Sequence, residues 1–114
     1  MKKEMANASV NITRVNGLQS MEICLEVGFD WKESVGKNMP GCPEWCPVNH
    51  FGYLRQGSMK VYHEDGSEPV VVKTGDTYNI GPGHRPEVLG TEPAIMVEFS
   101  QDPTIEATVE TLKK

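Results

Sequence analysis

Apolar and polar residues alternate with a period of two along most of this chain, and glycine or proline breaks the alternation at short intervals. Such a pattern predicts short half-buried strands joined by turns. Residues 9–15 form the first predicted strand, closed by Asn16-Gly17, and 21–27 the second, closed by Gly28. A weaker third covers 29–35, and 36–47, rich in Gly, Pro and Cys, is expected to be irregular. Further strands are predicted at 51–54, 59–63, 70–72, 77–80, 84–89 and 94–99. Asp65-Gly66 marks a hairpin turn, since both residue types tolerate positive φ. The tail changes period. Asp102-Pro103 suits a helix start, and Ile105, Val109 and Leu112 then form one stripe, which predicts a C-terminal helix over 103–112. The expected fold is all-β, a jelly-roll barrel or sandwich with one short terminal helix. It forms a single domain over 1–114, with N-terminal strands across 8–35 and a core across 41–99.

Composition narrows the partners. The net charge is −5 and the basic residues are scattered, which disfavours nucleic acid, because phosphate contacts need clustered Lys and Arg. No apolar run approaches the roughly 18–20 residues needed to cross a bilayer, so no membrane partner is expected. Lys2 and Lys3 are not followed by an apolar stretch of the signal-peptide kind, and the expected compartment is the cytoplasm. Three cysteines, Cys24, Cys42 and Cys46, argue against a disulfide framework there. Cys24 is expected to be a buried small hydrophobe, and His63, beside the hairpin tip, to face solvent. Edge strands need covering, and the first strand together with the 103–112 helix is the expected homodimer surface.

Two stretches resemble a known family. Tyr53-Leu54-Arg55-Gln56-Gly57 is similar to the Tyr-Val-Leu-x-Gly core of the first cupin motif. Gly75 to Gly83 is similar to the second, Gly-Asp-x-x-x-x-Pro-x-Gly, with Gly81 in place of the first proline. The likeness runs from about Gly41 to Phe99. Cys46-Pro47-x-x-His50-x-Gly52-Tyr53 and the ending Val97-Glu98-Phe99-Ser100 resemble small, stand-alone bacterial cupins of the cupin-2 type. The resemblance implies a cupin jelly-roll barrel. It does not choose a function, since one fold serves many.

The resemblance also implies where a metal would bind. The first cupin motif carries His-x-His-x-x-x-Glu, and the matching window here reads Glu44-x-Cys46-x-x-x-His50. All three are competent ligands for a divalent ion. Thiolate and imidazole favour zinc, with iron or copper as alternatives. The second motif's histidine falls on Pro86, which cannot ligate. His84, two residues earlier on the same face of an extended segment, is the substitute, and Cys42 is another. Cys46 with His50 also makes a thiol–base pair, although the sequence shows no orienting carboxylate. Trp31, Trp45, Phe51, Tyr53 and Tyr78 are candidates for an apolar pocket holding a small molecule. The functions compatible with this set are a metal-dependent enzyme on a small oxygenated substrate, a ligand-binding or sensor protein, and a metal-free structural barrel.

Overall fold

The computed structural model describes residues 1–100. The helix expected at 103–112 lies outside the described residues. The strands are β1 (Lys2–Met5), β2 (Ala8–Val15), β3 (Leu18–Leu25), β4 (His50–Gln56), β5 (Ser58–His63), β6 (Val70–Lys73), β7 (Thr77–Ile80), β8 (His84–Leu89) and β9 (Ala94–Ser100). They form two antiparallel sheets, one ordered β1-β2-β3-β9-β4-β7 and the other β6-β5-β8. The expected all-β architecture is present as these two sheets around one core, not closed into a continuous barrel.

Alternation sets the inward face. Ala8, Val10 and Ile12 of β2 are buried, as are Met21, Ile23 and Leu25 of β3, Leu54 of β4, Met59 and Val61 of β5, and Ala94 and Met96 of β9. Cross-strand pairs such as Val10↔Ile23, Ile23↔Met96 and Leu54↔Met96 join these side chains into one cluster. Burying a side chain of this kind contributes about 1.5–3 kcal/mol.

Three local expectations are corrected. Residues 31–34 form a helical turn, α1 (Trp31–Ser34), not a strand. Asp30 caps it, its side chain accepting hydrogen bonds from the Lys32 and Glu33 amides at 3.0 and 3.3 Å. The turn buries Trp31 and Ser34. Strand β1 was not expected, because Lys2-Lys3-Glu4-Met5 offers a single apolar side chain at its end; it pairs outside β2, so the sheet edge expected at residues 9–15 is already covered. Cys24 lies on the face of β3 opposite Met21, Ile23 and Leu25, half-buried, with its thiol 3.7 Å from Glu26 Oε1.

Two glycines matter for the site. Gly57, at φ +85°, is the single residue between β4 in one sheet and β5 in the other. Its positive φ, costly for a residue with a Cβ, lets the chain pass between the sheets. Gly52 lies in a cross-strand row that reads Ile12, Met21, Glu98, Gly52, Tyr78. A Cβ at Gly52 would run into the Val97 carbonyl oxygen and come within 2.9 Å of Glu98 Cα. The absent side chain lets β4 and β9 approach closely, and it lets Tyr78 and Glu98 meet across the strand between them.

Candidate metal centre

Cys46, His50 and His84 converge, each offering one donor atom, and the three donors lie within 4.8 Å of one another. Each comes from a different part of the chain. Cys46 ends the irregular segment and is pinned to the start of β8 by a two-way backbone bridge: its amide donates to His84 O at 2.9 Å, and the Gly83 amide donates to Cys46 O at 2.7 Å. The neighbouring pair clamps this bridge, with the Arg85 guanidinium 3.9 Å over the Trp45 ring, a contact worth about 0.5–2 kcal/mol. His50 opens β4 and approaches from the six-stranded sheet. The His50 and His84 rings meet edge-on, with centroids 5.0 Å apart.

Both imidazoles are oriented from behind. His84 Nδ1 lies 2.6 Å from the Gly81 carbonyl oxygen, which can only accept, so Nδ1 carries a hydrogen and Nε2 is left for another partner. His50 Nδ1 lies 2.6 Å from Glu98 Oε1, and His50 Nε2 is 3.7 Å from Cys46 Sγ. Tyr78 donates its hydroxyl to the other Glu98 oxygen at 2.8 Å. Glu98 is buried, and these two hydrogen bonds supply partners that a buried carboxylate requires. Metal-ligating histidines characteristically donate their second nitrogen to a carboxylate or carbonyl in this way.

The electrostatics agree with the geometry. Burial pushes the Cys46 thiol up, but hydrogen bonds from His50 and His84, together with their charge, outweigh it and lower it to about 6. Burial pushes His50 down, but its contacts with Cys46 and Glu98 outweigh that and raise it to about 10. Tyr78 is pushed upward by burial and by the Glu98 charge. Both shifts favour the charged forms, a thiolate on Cys46 and an imidazolium on His50. A metal ion would take the place of the proton between them.

One edge of the donor set can be compared with zinc geometry. Tetrahedral zinc, with S at about 2.3 Å and N at about 2.0–2.1 Å, sets its ligand atoms roughly 3.3–3.6 Å apart. The observed 3.7 Å between Cys46 Sγ and His50 Nε2 is close to that edge. The three residues could hold a metal ion and leave a fourth position open.

The other sequence candidates lie elsewhere. Glu44 is exposed and pairs with Lys32 at 3.3 Å. Cys42 is exposed, its thiol 3.6 Å from the Lys37 carbonyl. His63 is half-buried, not solvent-facing, and its ring is outside the cluster. Of the five aromatic candidates, Trp31 lines the cavity beside the site; Phe51 is exposed and Trp45 stacks on Arg85. Glu98 was not expected as a site residue, and Tyr78, expected in a pocket wall, instead bonds Glu98 behind His50. The signal for Glu98 was its phase: it follows Ala94 and Met96 on the inward positions of β9.

No protein-family model matches the chain, and no curated protein matches it in sequence. Solved structures do match. The oxalate decarboxylase of Lactobacillus farciminis, crystallised as a formate complex, is 20% identical with a TM-score of 0.63, over 90% of this chain and 31% of that one. This chain thus spans about a third of that enzyme's length. KdgF from a Halomonas species is 18% identical with a TM-score of 0.54, covering 88% of this chain and 85% of that one. A cupin-2 domain protein from Shewanella frigidimarina is 14% identical with a TM-score of 0.52, covering 81% and 78%. Two antiparallel sheets in this order, with paired histidines between them and these structural matches, give the chain the cupin fold.

Proposed function

We propose that this protein binds one divalent metal ion through Cys46 Sγ, His50 Nε2 and His84 Nε2, and receives a small molecule at that ion from the adjoining cavity. One observation carries the reading: the half-buried His50 and buried His84 imidazoles, each with Nδ1 tied to an acceptor, converge on a cysteine held by backbone hydrogen bonds. A Cys–His–Glu nucleophile would use Cys46, His50 and Glu98 but would leave the orientation of His84 without a purpose. Zinc suits one sulfur and two nitrogens best, with iron or copper as alternatives.

When bound, the ion would supply Lewis acidity to a carbonyl or similar oxygen. The chain's own residues do the rest. Glu98 holds His50 in the Nδ1–H tautomer, Tyr78 holds Glu98, and the Gly81 carbonyl holds His84. The apolar walls keep bulk water from the donors. Glu44, on the surface and paired to Lys32, has no part in this site.

Elemental analysis tests the proposal. Protein purified without a metal-affinity tag, loaded with zinc and desalted, should retain one equivalent per chain. Retention below about a tenth of an equivalent, with iron and copper retained no better, would sink it.

A further inference from the structure

The donors line a cavity of about 100 Å³. Its walls include Ile23, Leu25, Phe29, Met59, Ile80 and Met96. Apart from Cys46, His50 and His84, every described side chain lining it is hydrocarbon, a methionine thioether or the Trp31 indole. No Lys or Arg is among these described residues, so outside the donor set nothing there pairs with an anion. Pro86, two residues past His84 along β8, also lines the cavity and contributes neither a donor nor an acceptor from its side chain.

Charge and size both restrict the occupant. Cys46 and Glu98 already balance a divalent ion, so an anionic ligand would add an unpaired negative charge to an apolar space, which is costly. A cavity of about 150 Å³ lined by Leu, Ile and Phe takes benzene, so this one suits on the order of four to six non-hydrogen atoms. From these observations, and resting on the metal reading above, we infer that the cavity takes a small neutral carbonyl compound, such as an amide, ketone or aldehyde. Its oxygen would lie beside Cys46, His50 and His84 and its short alkyl body among the methionines and aliphatic residues. Carboxylates are excluded on charge. The selectivity differs from what an oxalate-processing cupin needs, because oxalate is a dianion.

Isobutyramide and isobutyrate test this, being nearly the same shape but one neutral and one anionic. Each is titrated into the full chain, zinc-loaded and metal-free, while the methionine methyl resonances are followed by NMR. Isobutyramide should shift them saturably in both forms, at least tenfold more tightly with zinc, and isobutyrate should bind the zinc form at least tenfold more weakly than the amide. Equal or tighter binding of isobutyrate, or no saturable shift with isobutyramide, overturns the inference. Failure of the metal reading is seen separately, as failure of the protein to retain zinc. In that event a saturable shift of the metal-free protein by isobutyramide, and not by isobutyrate, still supports the neutral apolar preference, and its absence overturns it.

Discussion

Replacing Cys46 by serine should remove most of the affinity for zinc. Structural zinc sites in small peptides bind with about 10–16 kcal/mol spread over four ligands, so one ligand is worth about 2.5–4 kcal/mol, a loss of roughly 70- to 900-fold. The sulfur also brings the negative charge that a neutral hydroxyl does not replace. The fold should survive, because the main-chain bridge from Cys46 to Gly83 and His84 does not involve the thiol. A zinc competition titration reads the change, with circular dichroism as the check on folding. Cys42→Ser is the matched control: that thiol is exposed and outside the cluster, so its removal should leave affinity unchanged. The reverse result, with Cys42→Ser losing zinc and Cys46→Ser keeping it, would move the site into the irregular loop.

The second large effect is expected at Glu98, which need not touch the metal. Glu98→Gln keeps the shape and lets the amide oxygen accept from His50 Nδ1 while its NH₂ group donates to the Tyr78 oxygen. What it loses is the carboxylate charge behind His50. Changes at such outer partners typically cost 10–100-fold in metal affinity, and a loss of roughly that size is expected. Glu98→Ala should behave differently. It leaves His50 Nδ1–H and the Tyr78 hydroxyl without their shared acceptor, at about 1–3 kcal/mol for each buried group, so chemical denaturation should show lower stability as well. Wild-type zinc affinity in Glu98→Gln, measured by the same competition, would show that His50 does not depend on this carboxylate for its orientation.

Much of the fold was legible because its information is local. Period-two alternation in β2, β5, β7 and β9 and the turn residues between them put most strands in place. The misses have physical causes. Strand β1 has little apolar content and owes its place to pairing with β2, which no local pattern reports. Residues 31–34 were read through an ambiguous apolar spacing, although Asp30 followed by Glu33 was a capping signal. The open edges between the sheets depend on long-range strand order, which alternation does not encode.

The site was legible in part. Cys46, His50 and His84 were drawn together by their residue types and by the resemblance, and they do meet in space. Glu44 shared the motif spacing, but the chain turns it to the surface toward Lys32. Glu98 lies far along the chain from His50, so only the fold shows that they touch. An acidic residue in phase with Ala94 and Met96 was nevertheless an anomaly visible beforehand, since a charge on an inward face demands a partner. Gly52 completes the explanation: a residue with no side chain, between Glu98 on β9 and Tyr78 on β7, makes room for the bond that joins them.

The central claim is the donor set, and X-ray absorption at the zinc edge of the loaded protein reads it directly. The account predicts a single sulfur at about 2.3 Å and nitrogen scatterers at about 2.0–2.1 Å with imidazole outer-shell features. A shell of oxygen and nitrogen without sulfur, or one with two sulfurs, would contradict it.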